Sequence, residues 1–105
     1  MKANADVVYR DFDASPALND TIYKKIEKLH RYSDSIIHSR VVLDAPHKHK
    51  HKGNLFRASI ELGVKGAPIT VTQDNPSVHV AVRDAFSTLE RKLKKESAKR
   101  KDTHH

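Results

Sequence analysis

The chain has 105 residues, no cysteine, and 20 Lys and Arg against 13 Asp and Glu, which leaves a formal net charge of +7 with its eight histidines neutral. This length allows one domain with one modest core, and the lack of cysteine excludes disulfides and thiol chemistry. The charge favours polyanionic partners, with nucleic acid before anionic membrane. No apolar run is long enough for a signal peptide or a membrane span. We therefore expect a soluble, cytoplasmic protein without a membrane partner.

The first predicted element is a strand over residues 4–12. Its side chains alternate with the period of two that a strand requires. Val7 and Tyr9 lie on one predicted face, and Val8 and Phe12 lie nearer the other.

A helix is predicted next, over about residues 16–31. Ser15 followed by Pro16 is typical of a helix start, because the serine can cap and proline suits the first helical position. Apolar residues recur at three- and four-residue steps and form one stripe: Leu18, Ile22, Ile26 and Leu29. The other faces carry four cations that we predict to bind RNA: Lys24, Lys25, Lys28 and Arg31.

Three strands are predicted to follow. The second strand covers roughly residues 35–45, and its inward face is predicted to hold Ile37, Ser39, Val41 and Leu43. The third, LFRASIELGV at 55–64, turns one set of side chains the same way: Phe56, Ala58, Ile60 and Leu62. Lys65-Gly66 supplies a hairpin turn, and APITVTQ at 67–73 is the fourth strand.

The segment HKHKHKGN at 47–54 is a loop by composition, and it closes on the turn pair Gly53-Asn54. Its lysines are predicted to contact RNA phosphates: Lys48, Lys50 and Lys52. In an extended loop the three imidazoles would share one side, which makes them the candidates for a zinc or nickel site: His47, His49 and His51. Because the lysines between them crowd that site with positive charge, we favour the phosphate contact and expect no metal and no cofactor.

The last predicted element is a long helix that starts at Asn75-Pro76 and runs to about residue 101. Its apolar face holds Val78, Val82, Ala85, Phe86, Leu89 and Leu93. Its other faces hold eight cations: Arg83, Arg91, Lys92, Lys94, Lys95, Lys99, Arg100 and Lys101. Only three acids, Asp84, Glu90 and Glu96, oppose them. The first five of these cations complete the predicted RNA-binding set.

The predicted order βαβββα indicates an α+β fold, a two-layer sandwich in which two helices pack on one face of a four-stranded sheet. We expect one domain over 1–105, ordered over about 4–97, with a basic tail over 98–105. There is no Gly-x-Ser-x-Gly elbow and no glycine-rich phosphate loop. We therefore expect neither an enzyme nor a small-molecule substrate.

Basic faces on two packed helices recognise phosphates by position and charge rather than by base sequence. Aromatic side chains are few, so stacking on unpaired bases is poorly supported. The residues therefore favour structured RNA as the partner. A general structured-RNA-binding module, and a metal-binding interaction domain built on the histidine loop, remain as alternatives.

The chain resembles the family of ribosome hibernation-promoting factors and ribosome-associated inhibitors, the sigma-54 modulation protein-like group. The resemblance covers about residues 7–95 and includes the element order. It rests on three segments: KLHRYSDSI at 28–36, HKHKGNLFRASIEL at 49–62, and VAVRDAFSTLERKLKK at 80–95. Two positions depart from it, since His79 stands where many members have Tyr and Arg83 where many have Asp.

This resemblance implies a monomer that binds the small ribosomal subunit in the decoding channel, where messenger and transfer RNA would sit. It would block translation and protect idle ribosomes in stationary phase or under stress. The short form lacks the further C-terminal domain of long members. By match to the family's basic helices, five residues would contact ribosomal RNA: Lys25, Lys28, Arg91, Lys92 and Lys95.

Overall fold

The computed structural model describes residues 5–33, 35–45, 55–66 and 68–102, and of 96–102 it describes the backbone alone. The elements are, in chain order, β1 (Ala5–Arg10), α1 (Pro16–Tyr32), β2 (Ile36–Asp44), β3 (Phe56–Val64), β4 (Ile69–Asn75) and α2 (Val78–Asp102). The predicted βαβββα order and the α+β class are confirmed.

The four strands form one sheet in the order β1-β2-β3-β4. β1 and β2 are parallel, as a strand–helix–strand connection requires, whereas β2–β3 and β3–β4 are antiparallel. Both helices pack on the same face of this sheet, because apolar residues of α1, α2 and the strands form one buried cluster. The opposite face of the sheet carries no helix in the described part of the chain, and we call it the open face.

Helix α1 starts as its sequence predicts. The hydroxyl of Ser15 accepts a hydrogen bond from the N–H of Leu18 at 3.2 Å, and Pro16 occupies the first turn. The Tyr9 hydroxyl donates to the carbonyl of Ser15 and so holds the cap against β1. The predicted apolar stripe is fully buried, with each of its members at 2% exposure or less: Leu18, Ile22, Ile26 and Leu29.

The start of α2 corrects the prediction that Asn75 caps the helix and Pro76 opens it. Asn75 is the last residue of β4, where it pairs with Phe56, so its backbone is committed to the sheet. Its side chain accepts from the N–H of Ser77, and Ser77 in turn caps α2 by accepting from the N–H of Val80 at 3.4 Å. The strand therefore extends two residues beyond the predicted 73, and α2 begins at Val78.

The predicted apolar face of α2 is otherwise confirmed, with Val78 partly buried at its start and Ala81 added to it. The fully packed members are Ala81, Val82, Ala85, Phe86, Leu89 and Leu93. These residues close the core over β3 and β4. The helix face turned away from the sheet is thereby fixed, because the apolar stripe leaves α2 only one way to pack.

The inward face of β2 differs from the prediction at one position. Ser39, Val41 and Leu43 are buried as predicted, but Ile36 is buried and Ile37 is 60% exposed. The pairing of β2 with β3 shifts register between Ile36 and His38, which is a β-bulge. An extra residue in one strand reverses the alternation beyond it, so the bulge turns Ile37 outward.

Strand β1 also ends earlier than predicted, at Arg10 rather than residue 12. Asp11 adopts a positive φ of 66°, which breaks the alternation. Phe12, predicted on the Val8 face, therefore turns to the core side and meets Tyr9 edge-to-face with 5.2 Å between ring centroids. Phe12 also contacts Phe56 of β3 in the same geometry.

Candidate nucleic-acid interface

The predicted cations of α1 and α2 lie together on the outside of the helix layer, and we call this surface the basic face. Its members are Lys24, Lys25, Lys28, Arg31, Arg83, Arg91, Lys92, Lys94 and Lys95. Eight of them are exposed, and Lys25 is half-buried. The described side chains of the two helices include only four acids for these nine cations: Asp20, Glu27, Asp84 and Glu90.

The two halves of the basic face come together because α1 and α2 lie side by side and run in the same direction. Lys28 of α1 lies 4.0 Å from Glu90 of α2, measured from Nζ to Oε2. One turn further along both helices, the Lys94 Nζ lies over the ring of Tyr32, 4.8 Å from its centroid. The second contact lies four residues further along each helix than the first, so the two helices run parallel. Their exposed cations therefore form one continuous surface.

Glu90 is the acid that joins the two helices. It lies between Lys28 and Lys94, and its contact with Lys94 is the shorter at 3.3 Å. Partial burial alone would raise the pKa of Glu90, but the hydrogen bond from Lys94, the charges of Lys28 and Lys94, and the Tyr32 hydroxyl together hold that pKa below its ordinary value. Glu90 therefore favours its ionised form and adds a polar contact between α1 and α2 to the packing of their apolar stripes.

A second part of the basic face follows the side of α2 turned toward β4. Residues three and four apart share one side of a helix, which places Arg91, Lys92 and Lys95 in one stripe with the Thr88 hydroxyl. These residues and Lys94 line an open depression of about 580 Å³. Lys92 donates a hydrogen bond to the Thr70 carbonyl of β4 at 3.4 Å. The stripe is suited to a row of phosphates, since it offers donors and positive charge at regular spacing.

Most of the acids on the helix layer lie beside a cation without covering it. Lys24 pairs with Asp20 at 3.1 Å, and Arg83 pairs with Asp84 at 3.3 Å. Such exposed ion pairs are weak and exchange readily for other partners. Five cations of the basic face have no acid within ion-pair distance among the described residues: Lys25, Arg31, Arg91, Lys92 and Lys95. The helix layer is therefore free to neutralise an external polyanion.

The open face of the sheet has a different charge. Its side chains include three arginines and four acids: Arg10, Arg40, Arg57, Asp6, Asp44, Glu61 and Asp74. Arg57 donates two hydrogen bonds to Asp74 at 2.9 and 3.2 Å. This contact, together with the charge of Asp74, raises the pKa of Arg57 above its ordinary value. The acids of the open face thus outnumber its arginines. This face therefore offers no net electrostatic attraction for phosphate groups.

The predicted loop contacts, Lys48, Lys50 and Lys52, lie outside the described residues, as do the alternative metal ligands His47, His49 and His51. Among the residues that are described, no group of three His, Asp or Glu side chains converges as a metal site. The phosphate contact of the loop stays a prediction.

Two residues of the interface were not predicted from the sequence: Tyr32 and the bridging role of Glu90. The spacing of Glu90 and Lys94 is a readable signal, since an acid four residues before a cation pairs on a helix surface. The contacts to Lys28 and Tyr32 have no such signal, because they depend on how the two helices pack.

Comparison with known proteins supports the fold and identifies the family. The sequence profile of the family described as Sigma 54 modulation protein / S30EA ribosomal protein matches residues 5–101. The N-terminal domain of Protein Y from Thermus thermophilus is similar in structure, with a TM-score of 0.74 and 26% identity over 89% of this chain and 98% of that one. A ribosomal subunit interface protein from Coxiella burnetii has the same fold, with a TM-score of 0.74 and 20% identity over 91% and 99% of the two chains. No curated protein matches the chain in sequence. Neither helix, over the described residues, offers an apolar stretch that could cross a bilayer.

Proposed function

We propose, since this chain belongs to the Sigma 54 modulation protein / S30EA ribosomal protein family, that it binds the small ribosomal subunit and contacts ribosomal RNA through its basic face. One observation carries the proposal: nine cations lie on one side of a rigid two-helix layer, while the opposite side of the sheet has no excess of positive charge. A protein with this distribution is attracted to a polyanion most strongly through its helix layer. The solved structure from Coxiella burnetii bears the name of a ribosomal subunit interface protein, which agrees with such a role.

The contacts are with phosphates rather than with bases. Lys and Arg held on helices meet the sugar-phosphate backbone by position and charge. Tyr32 is the exposed aromatic residue of the helix layer, but the Lys94 ammonium lies over its ring, which leaves little room for a stacked base. Folded RNA, whose phosphates have fixed spacing, suits this surface better than a flexible single strand does.

Within the basic face, the two helices have separate roles. Arg91, Lys92 and Lys95 line up along one side of α2 and bind successive phosphates. Lys25 and Lys28 lie on α1 toward the junction of the helices and contact a second backbone segment. The buried core that both helices share keeps these two groups at a fixed separation.

We place the bound protein in the decoding channel, as a monomer acting in the cytoplasm. A folded domain there excludes messenger and transfer RNA by occupying their space, and no chemical step is required. The protein is then a translation inhibitor that keeps ribosomes idle under stress or in stationary phase, and not an enzyme. The loop lysines Lys48, Lys50 and Lys52 would add a third contact.

Competition on purified small subunits tests this proposal. The labelled protein should bind saturably to subunits and be displaced when messenger RNA and initiator transfer RNA are added together. Bare duplex RNA of similar length is the control polyanion, and it should bind more weakly. Equal or tighter binding to the duplex, or saturation of subunits by protein and transfer RNA at the same time, would contradict the decoding-channel site. The first of these results would favour a general structured-RNA-binding module.

A further inference from the structure

The open face of the sheet is a second surface of the domain. The proposed RNA contacts all lie on the helix layer, so they do not use the open face. Its polar residues stand in rows across the strands, because the strands pair in register. Arg40 lies between Asp6 and Glu61, and Asp44 lies between Arg10 and Arg57. Cations and acids thus alternate, and the acids are one more than the arginines.

The excess of acid is concentrated toward one end of this face. At the far end Arg57 is bound by Asp74 in a two-point contact and is neutralised. At the near end Asp6 and Glu61 flank the single Arg40, and the other basic side chain at Asp6 is His38, 3.9 Å away. A cationic group that approaches this end therefore meets two carboxylates.

The same end presents an exposed aliphatic side chain. The bulge in β2 turns Ile37 out of the core and leaves it 60% exposed, the most exposed large hydrophobic residue in the described chain. Bulges often re-aim a side chain at a contact site. Val8 and Val42, paired in register and half-buried, continue the apolar surface toward the middle of the sheet.

A shallow depression of about 320 Å³ lies in the middle of this face and has both charges at its border. Arg10 and Arg40 line it together with Asp44, Glu61, Ser59 and Thr70. Such a mixed lining does not suit RNA, whose phosphates would meet carboxylates. It does suit a polypeptide, which brings amide donors and acceptors together with side chains of either sign.

We propose that the open face binds a basic segment of a ribosomal protein, with Asp6 and Glu61 pairing its cations and Ile37 packing against its apolar side chains. The inference rests on the proposed function. A protein that itself lies on ribosomal RNA must carry Lys and Arg to neutralise phosphates. Beside the bound domain, such a segment is complementary in charge to the open face and repelled by the basic face.

The test uses the full chain, purified small subunits, and protein-free RNA extracted from the same subunits. Glu61→Lys should weaken binding to subunits about tenfold, the scale of a like-charge contact at an interface. Ile37→Ser should weaken it in the same way by a smaller factor. Both variants should bind the protein-free RNA as the unaltered chain does. Glu27→Lys, an exposed charge reversal on the helix layer, is the matched control and should not weaken binding to either partner.

Each other result overturns the inference. Tighter binding of Glu61→Lys to both partners would place RNA on the open face. Unchanged binding would mean that nothing on the subunit contacts that face. Weaker binding to both partners, in a variant whose melting curve matches that of the unaltered chain, would mean that the open face contributes to RNA binding. These outcomes concern the variants alone, whereas a failure of the unaltered chain to bind subunits would instead contradict the proposed function.

A second measurement does not depend on the ribosome. A peptide of alternating Lys and Leu is titrated into the isotope-labelled chain, and amide signals are followed by NMR. Signals of Asp6, Ile37 and Glu61 should shift in a saturable way, and Glu61→Lys should abolish the shift. An absence of shifts on β1–β3, or identical shifts in the variant, would contradict the inference even if the ribosome were not the partner.

Discussion

The helix layer and the open face of the sheet belong to one small domain, yet they carry opposite charge. The helix layer has nine cations against four acids on its described side chains, whereas the open face has three arginines against four acids. Among the described side chains, the excess of positive charge therefore lies on the helix layer and not on the open face. Charge segregated in this way orients a protein on a polyanion before any close contact forms.

The acids on the two surfaces also differ in what they do. On the helix layer, Asp20, Asp84 and Glu90 each lie beside a Lys or Arg in an ion pair that is partly or fully exposed and exchanges readily for other partners. On the open face, Asp74 binds Arg57 fully, and the remaining acids exceed the remaining arginines. Acids thus pair only weakly with cations on the helix layer, whereas they outnumber the cations of the open face. Variants that act on one surface at a time can separate these effects.

The largest expected effect comes from a substitution in the hydrophobic core, which supports both the helix layer and the open face. Leu89 is fully buried between α2 and the sheet. Leu89→Ala should lower the free energy of unfolding by about 2–5 kcal/mol, because it removes apolar contacts and leaves a cavity. Urea unfolding followed by circular dichroism measures this loss. Ser87→Ala, an exposed change two residues away, should shift stability by under about 0.5 kcal/mol, and a comparable loss there would mean that the helix faces are assigned wrongly.

The next largest effect is on binding to small subunits, and it should differ between the two surfaces. One cation on each surface is replaced by glutamate, so that the change of charge is the same. Lys95→Glu on the basic face should weaken binding to small subunits by at least about tenfold at low salt, since it removes a phosphate contact and adds repulsion. Arg40→Glu on the open face should not weaken it. Lys95 is exposed on a helix, so Lys95→Glu should keep the unfolding free energy within about 0.5 kcal/mol. Arg40→Glu places a third carboxylate between Asp6 and Glu61 and should cost about 0.5–2 kcal/mol of stability, from two like-charge cross-strand pairs. Filter binding at several salt concentrations, with parallel melting curves, makes the comparison. Equal losses for the two variants would show that charge acts without orientation.

The smallest effect concerns Glu90, which contacts a cation on each helix of the basic face. Its pKa in the folded chain is lowered, so the folded state holds its proton less readily than the unfolded state does. Glu90→Gln should therefore cost about 0.2–1 kcal/mol of stability at pH 7, the range for partly exposed ion pairs. That difference should persist above the ordinary glutamate pKa of about 4.3 and fade as the pH drops below it.

Urea unfolding of Glu90→Gln and the unaltered chain at pH 7, 5 and 3 tests this behaviour. Because the variant also removes a negative charge beside Lys28 and Lys94, its affinity for RNA should rise slightly while its stability falls. A variant that is destabilised equally at pH 3 and pH 7 would show that Glu90 acts by packing rather than by charge.

Much of this fold could be predicted because it depends on local periodicity. Leu18, Ile26 and Leu89 follow the helical repeat, and a helix with one apolar stripe can bury only that stripe. The exposure of the basic side chains follows from the same repeat. For these residues the sequence pattern alone is sufficient.

The residues that were predicted wrongly depend on contacts between distant segments. Ile37 is exposed because β2 and β3 pair with an extra residue, and nothing in the sequence near Ile37 marks the bulge. Asn75 and Ser77 are both competent caps, and the pairing of Asn75 with Phe56 decides between them. The position of Glu90 between Lys28 and Lys94 likewise depends on how α1 packs beside α2. Local patterns thus predict which side chains are exposed, and tertiary pairing decides how they are arranged.

A cryo-electron microscopy structure of this chain bound to the small ribosomal subunit would show which surface of the domain meets RNA. We predict density for the domain in the decoding channel, with the basic face turned to ribosomal RNA and Arg91, Lys92 and Lys95 within reach of phosphates. We also predict that the open face meets ribosomal protein rather than RNA. A domain bound with its open face against RNA phosphates, or bound away from the decoding channel, would contradict the proposed orientation.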